Sequence, residues 1–199
     1  YDNYACAANS TFTEYRQIET CDYDGAPEIT IISPESQVYG NRTVLVDISA
    51  SDSSVDKIWY NWNGVNISYS APINILFNNG NNTLIVYAND TLGNLNSASV
   101  TFSVDITLPS LIITSPLHLN YTNSTILLNI SSSGVLTWYN WNGTNASYSG
   151  GHYVDFSQGN NTLYAYANNS AGLINSDYVH FFIDSIYPTW TGRETSADS

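Results

Sequence analysis

One hexapeptide is written twice in this chain: Trp59-Tyr60-Asn61-Trp62-Asn63-Gly64 returns unchanged as Trp138-Tyr139-Asn140-Trp141-Asn142-Gly143. The same 79-residue step carries Asn81-Asn82-Thr83-Leu84 onto Asn160-Asn161-Thr162-Leu163, Tyr87-Ala88-Asn89 onto Tyr166-Ala167-Asn168, and Asp105 onto Asp184. A duplication of this length points to a small module used in tandem, as in spacers, stalks and polymers. The sequence divides accordingly into an N-terminal arm or donor-strand segment at 1–26, a first module at 27–105, a linker at 106–108, a second module at 109–184 and a tail at 185–199. Domains this small hide only about 60% of their unfolded surface, so each copy gains from whatever its neighbours supply.

Within each copy, strand signals recur and helix periodicity is absent. Residues 43–50 alternate, with Val44, Val46 and Ile48 facing one way and Asp47 the other; the second copy repeats this as Ile126, Leu128 and Ile130 around Asn129. A period of two that survives a change of residues marks half-buried strands. Further strands are expected over 28–33, 57–62, 67–69, 73–77, 83–88 and 98–104, punctuated by Gly64, Gly80 and Gly93 and in the second copy by Gly143, Gly159 and Gly172. Seven short strands per copy predict an all-β fold, two tandem immunoglobulin-like β-sandwiches, preceded by an N-terminal disulfide-stapled arm. The arm does not match the repeat, yet Asp24 shortly precedes Pro27, as Asp105 precedes Pro109 and Asp184 precedes Pro188. Proline stiffens each of these junctions. The arm itself has two readings: an independent or disordered segment, or a strand that completes the open sheet edge of a neighbouring domain or subunit.

The stretch GNNTLIVYANDTLGN at 80–94 resembles the closing strand pair of bacterial and archaeal immunoglobulin-like surface modules, whose pattern here is Asn-Thr, alternating apolar residues, Ala, a polar turn and Gly-Asn. Ile32-Ser33-Pro34, the repeated hexapeptide and the Asp-to-Pro linkers are similar to that family as well, so the resemblance covers residues 27–184. It implies extracellular display, in adhesins, stalks, filaments or accessory modules of secreted enzymes, and it brings no catalytic residue. The second copy departs from the pattern at its turn, where Asn168-Asn169-Ser170-Ala171-Gly172 replaces Asn89-Asp90-Thr91-Leu92-Gly93. That departure counts against a role for Asp90 as a turn ligand.

Four basic side chains, Arg16, Arg42, Lys57 and Arg193, stand against seventeen acidic ones, for a net charge of −13. No basic surface exists to neutralise phosphates, so nucleic acid is excluded as a partner. No apolar run approaches the roughly 18 to 20 residues that span a bilayer. No signal sequence opens the chain and it contains no Met, which reads as a mature form or as a segment of something longer. Cys6 and Cys21 are the only cysteines. Outside the cell such a pair is most simply a disulfide, worth ~3 kcal/mol to the loop it closes. Free thiols and half of a metal site are the alternatives, and no nearby His or further Cys supports the second.

With 11% of residues charged, something else must keep this surface wet. The acceptor triplet Asn-x-Ser/Thr occurs at Asn9, Asn41, Asn66, Asn81, Asn89, Asn120, Asn123, Asn129, Asn142, Asn145, Asn160 and Asn168, and bulky glycans on such sites solubilise a surface. Twelve sites are roughly double what composition gives by chance, although duplication makes paired sites count once. Asn41, Asn66, Asn81 and Asn89 align with Asn123, Asn145, Asn160 and Asn168. Composition alone generates some of these triplets, but several glycans would replace the missing charge and shield strand edges.

In the hexapeptide, Tyr60 and Trp62 share a side with Ile58, so Trp59 and Trp138 are expected on the other face. An exposed Trp near Tyr and Asn is the chemistry of sugar stacking, which makes these two the candidate carbohydrate-binding residues. Packing under a loop, against a subunit or beneath the protein's own glycans is the competing reading. Catalysis finds little support: His118, His152 and His180 lack metal-ligand spacing and occur only in the second copy, and Asp52, Asp56 and Asp155 read as turn residues. No cofactor is expected, beyond the option of Ca²⁺ at the junctions on Asp105 and Asp184, each of which has few acidic neighbours. The expected partners are covalent N-glycans and further copies of the chain, joined head to tail.

Overall fold

The computed structural model describes residues 4–5, 22–23 and 25–188. In the arm, β1 (Tyr4–Ala5) and β2 (Asp22–Tyr23) pair antiparallel, Tyr4 with Tyr23 and Ala5 with Asp22. Cys6 and Cys21 lie outside the described residues, as does Asn9; Ala5 and Asp22, the chain neighbours of the two cysteines, are cross-strand partners.

The chain separates into two compact units, 1–106 and 107–199. The first contains β3 (Glu28–Ser33), β4 (Val38–Tyr39), β5 (Thr43–Ser51), β6 (Val55–Trp62), β7 (Val65–Ser68), β8 (Ile73–Leu76), β9 (Gly80–Asp90) and β10 (Leu95–Val104). They form a three-stranded sheet, β3-β5-β8, and a five-stranded sheet, β4-β10-β9-β6-β7. Pairing is antiparallel except where β4 lies parallel to β10. The second unit repeats the plan with β11 (Leu111–Ser115), β12 (Asn120–Tyr121), β13 (Thr125–Ser132), β14 (Leu136–Trp141), β15 (Thr144–Ser147), β16 (His152–Asp155), β17 (Gly159–Asn168) and β18 (Ile174–Ile183). Its sheets are β11-β13-β16 and β12-β18-β17-β14-β15.

Alternation decides what lies between the sheets. Val44, Val46 and Ile48 of β5 are buried, as are Leu84, Val86 and Ala88 of β9 and, in the second unit, Ile126, Leu128, Ile130, Leu163, Ala165 and Ala167. Each fully buried Leu or Val contributes about 1.5–3 kcal/mol. Aromatic rings fill the rest in an edge-to-face chain: Trp62 to Phe77 at 5.1 Å and Phe77 to Phe102 at 4.8 Å, with Trp141, Phe156 and Phe181 repeating both spacings. The hexapeptide ends in a two-residue turn. Asn63 and Asn142 sit at φ 52°, and Gly64 and Gly143 at 79° and 77°, the paired left-handed conformation that matches the strand twist of a tight hairpin.

Three expectations need correction. Each unit has eight strands where seven are expected, because the two-residue strands β4 and β12 carry no periodicity and give no sequence signal. Asp56 is not in a turn: β6 begins at Val55, and Asp56 is the extra residue of a bulge, between Val55 paired with Asp90 and Lys57 paired with Asn89. Asp155 likewise ends strand β16, where it accepts a hydrogen bond from the Thr125 hydroxyl across the ladder. Asp52 does lie in a connection, accepting from the Ser53 N–H.

Candidate functional site: the outer face of the five-stranded sheets

In β9 the inward positions are Asn82, Leu84, Val86, Ala88 and Asp90, all buried, which leaves Asn81, Thr83, Ile85, Tyr87 and Asn89 facing outward. Register extends this outer face across the sheet, because Trp59 pairs with Tyr87 on one side and with Ser68 on the other, and Asn61 pairs with Asn66. Tyr60, by contrast, is buried in the core, with Ile58 and Trp62 packed against it. The expected split of the hexapeptide holds, but Trp59 and Trp138 are half-buried. Each lies flat on a tyrosine, Trp59 on Tyr87 at 5.5 Å and 11°, Trp138 on Tyr166 at 5.5 Å and 14°. An offset stack of this kind adds about 0.5–1.5 kcal/mol to the burial of the two rings.

Each tryptophan also lines a groove toward the edge strand of its sheet. In the first unit the groove is about 640 Å³ and is lined by Ile58, Trp59, Asn66, Ser68 and Tyr69; in the second it is about 420 Å³, with Thr137, Trp138, Asn145, Ser147 and Tyr148 in the matching places. The first has a charged rim, the Asp56–Lys57 ion pair at 3.5 Å, where the second has Val135 and Leu136. Below the groove, Tyr69 accepts from the Ile48 N–H and donates to Asp47, while Tyr148 does the same with Ile130 and Asn129. Burial pushes the Tyr69 hydroxyl above its ordinary value.

The aligned acceptors gather on this face. Asn66, Asn81 and Asn89 point outward from β7 and β9, and Asn145, Asn160 and Asn168 from β15 and β17. Their amides are used differently. The oxygen of Asn66 accepts from Asn61 Nδ2 at 2.6 Å, as that of Asn145 does from Asn140. The Asn81 oxygen accepts from the Ser103 hydroxyl and that of Asn168 from the Leu136 N–H. Asn89 instead spends its nitrogen, donating to the Asp90 carbonyl at 3.0 Å and to Asp56 at 3.4 Å. Asn41 and Asn123 precede β5 and β13, each accepting from the N–H two residues on, whereas exposed Asn129 sits within β13. Asn120 on β12 and Asn142 in the hairpin turn are both exposed.

Two sets of residues escaped the sequence reading. Asn82 and Asn161, each the middle residue of an acceptor triplet, are buried and donate to the carbonyls of the preceding loop, Asn78 and Gly80 or Ser157 and Gly159. The doubled Asn was the available signal. Asp90 proves to be a turn ligand after all: its Oδ1 accepts from the Leu92 and Asn94 N–H groups, and Asn169 does the same for Ala171 and Leu173. Burial alone would raise the Asp90 carboxyl, but hydrogen bonds from Asn94, Leu92 and Gly93 outweigh it and hold the group below its ordinary value.

His118 and His180 come together, with rings 6.3 Å apart, whereas His152 bonds the Tyr139 hydroxyl elsewhere in the unit. Asp184 accepts from Gln158, Asp105 lies one residue beyond β10, and no group of three His, Cys, Asp or Glu converges on a metal position among the described residues. Nor is any helix among them long and apolar enough to cross a membrane.

No family model matches the sequence, and comparison with curated proteins gives no match. Solved structures do resemble it. Sidekick-1 immunoglobulin domains 1–5 align at 14% identity and TM-score 0.54, over 85% of this chain and 41% of that one. The N-terminal eight immunoglobulin domains of Down Syndrome Cell Adhesion Molecule align at 15% identity and TM-score 0.52, over 80% and 24%. The fibronectin(III)-like modules of Clostridium thermocellum CbhA align at 14% identity and TM-score 0.48, over 84% and 100%. This chain thus spans less than half of the two immunoglobulin arrays it matches. Sheet order and the likenesses to the Sidekick-1 and Down Syndrome Cell Adhesion Molecule arrays agree on the fold, which is a tandem pair of immunoglobulin-like β-sandwiches.

Proposed function

We propose that this chain is an extracellular structural glycoprotein, a pair of modules that carries mechanical load in a cell-surface stalk or filament. The observation that carries the reading is the common placement of acceptors: three aligned pairs share the outer face of the five-stranded sheet in both units. Glycans there would supply the hydration that a chain with few charges lacks. Intact mass of the native protein before and after deglycosylation tests this. Addition of several glycans is expected, and a native mass equal to the 21.9 kDa of the bare chain would overturn it.

Assembly head to tail extends the same reading, since a heterologous contact that does not close generates a filament. Electron microscopy of native material should show fibres or stalks; dispersed monomers at high concentration would remove the filament.

A second reading is a carbohydrate-binding or adhesin module, favoured by the tryptophan-lined groove that recurs in both units. Glycan-array binding that disappears in Trp59→Ala and Trp138→Ala would support it, and an array without signal would dismiss it.

A further inference from the structure

We propose that the stacks Trp59–Tyr87 and Trp138–Tyr166 are seats for the chain's own sugars, the inner residues of glycans carried on Asn66 and Asn145. The proposal rests on the glycoprotein reading above and assigns an occupant to the two grooves.

Acceptor and indole line one groove, and they do so twice. Trp59 pairs with Ser68 and Asn61 with Asn66, which makes Trp59 and Asn66 diagonal neighbours across the β6–β7 ladder. Such neighbours lie about 7–8 Å apart, within reach of long side chains and of a sugar linked to one of them. The hydrogen bond from Asn61 fixes the Asn66 oxygen at 2.6 Å, and Asn66 Nδ2, the atom that receives sugar, has no partner among the described residues. Asn140 holds Asn145 at the same distance. Attachment forms the Nδ2–C1 bond as the C1–O bond to the phosphate of an activated sugar donor breaks; the phosphate leaves with the electron pair and Nδ2 gives up one proton.

The ring is prepared as well. Stacking on Tyr87 at 11° uses one face of the indole and fixes its tilt, while Trp59 still contributes to the groove wall. Pyranose CH groups pack on such an aromatic face, and Ser68 or Ser147 stands beside it to meet a hydroxyl. Asn89 shows the contrast within the same sheet, because its Nδ2 is already committed to Asp90 and Asp56. A sugar tethered at the groove mouth is present at high effective concentration and would exclude a free oligosaccharide from the same wall.

The test uses the native glycosylated protein. Glycopeptide mass spectrometry should find Asn66 and Asn145 occupied, and proton NMR should show ring-current-shifted sugar signals that vanish in Trp59→Ala and Trp138→Ala. If the Trp variants do not fold, Asn66→Gln with Asn145→Gln serves instead: it should abolish the shifted signals and red-shift tryptophan emission as the indoles regain water. Occupied sites with unshifted sugar signals would overturn the proposal, and so would bare Asn66 and Asn145 beside glycans elsewhere; both results leave the glycoprotein reading intact. Array binding through Trp59 by protein occupied at Asn66 would also overturn it, in favour of an external sugar. A chain bare at every site would remove both.

Discussion

At Asp90 a buried carboxylate organises a turn that Asn169 organises without charge. The two solutions differ in their response to acid. A carboxyl held below its ordinary value of 3.8 stabilises the folded unit above that value and gives this up as pH falls through the lowered one. The turn of the first unit should therefore loosen in acid while its counterpart does not. Hydrogen exchange at Leu92 and Asn94, compared with Ala171 and Leu173 as pH falls from neutral to well below 3.8, checks it. The double change Asp90→Asn with Asn94→Leu, which copies the second unit, should flatten the response; Asp90→Ala should lower the thermal midpoint at neutral pH. Among acceptors, Asn89 should carry less glycan than Asn66, because its nitrogen is spent inside the fold. Site-by-site occupancy from glycopeptides decides this. The acceptors themselves were legible as triplets, but the fate of each amide was not, since it depends on cross-strand partners such as Asn61 and Ser103 that lie outside the triplet.

Strands were legible wherever they alternate over several residues. The buried row of β5 and the split of Tyr60 from Trp59 follow directly from a period of two. The short strands β4 and β12 were not, because a pair of residues has no period, and the bulge at Asp56 was hidden because it is defined by the partner strand β9. Phe77 ends the run after β8 yet is fully buried between Trp62 and Phe102. Phe77→Ala should cost about 3–5 kcal/mol, and Phe156→Ala a similar amount in its own unit, measured by denaturant unfolding. Gly134 is confined differently: a Cβ there would meet the Ala167 Cβ at 2.8 Å and the Asn168 carbonyl at 2.9 Å. Gly134→Ala should accordingly lower the thermal midpoint of the second unit, whereas alanine at Gly151, with 3.4 Å to its nearest neighbour, should be better tolerated.

Over the whole molecule, the architecture could be read because it is written twice; the 79-residue step identified the module before any strand was placed. What the duplication leaves open is the use of the outer face: the same Trp, Tyr and Asn suit a free sugar or a tethered one, and register adds only that Asn66 and Trp59 are diagonal neighbours. The Cys6–Cys21 disulfide expected from the sequence predicts that alkylation of the unreduced protein leaves its mass unchanged. The repeated ring cluster has a kinetic corollary. Trp62, Phe77 and Phe102 occupy the same spacing as Trp141, Phe156 and Phe181, so the two cores present the same arrangement of rings. Misassembly between neighbouring copies is a characteristic hazard of repeat proteins, and here the template is shared ring by ring. Refolding from denaturant should trap a slow population with native-like far-ultraviolet signal, and replacing the second module by an unrelated domain should abolish it.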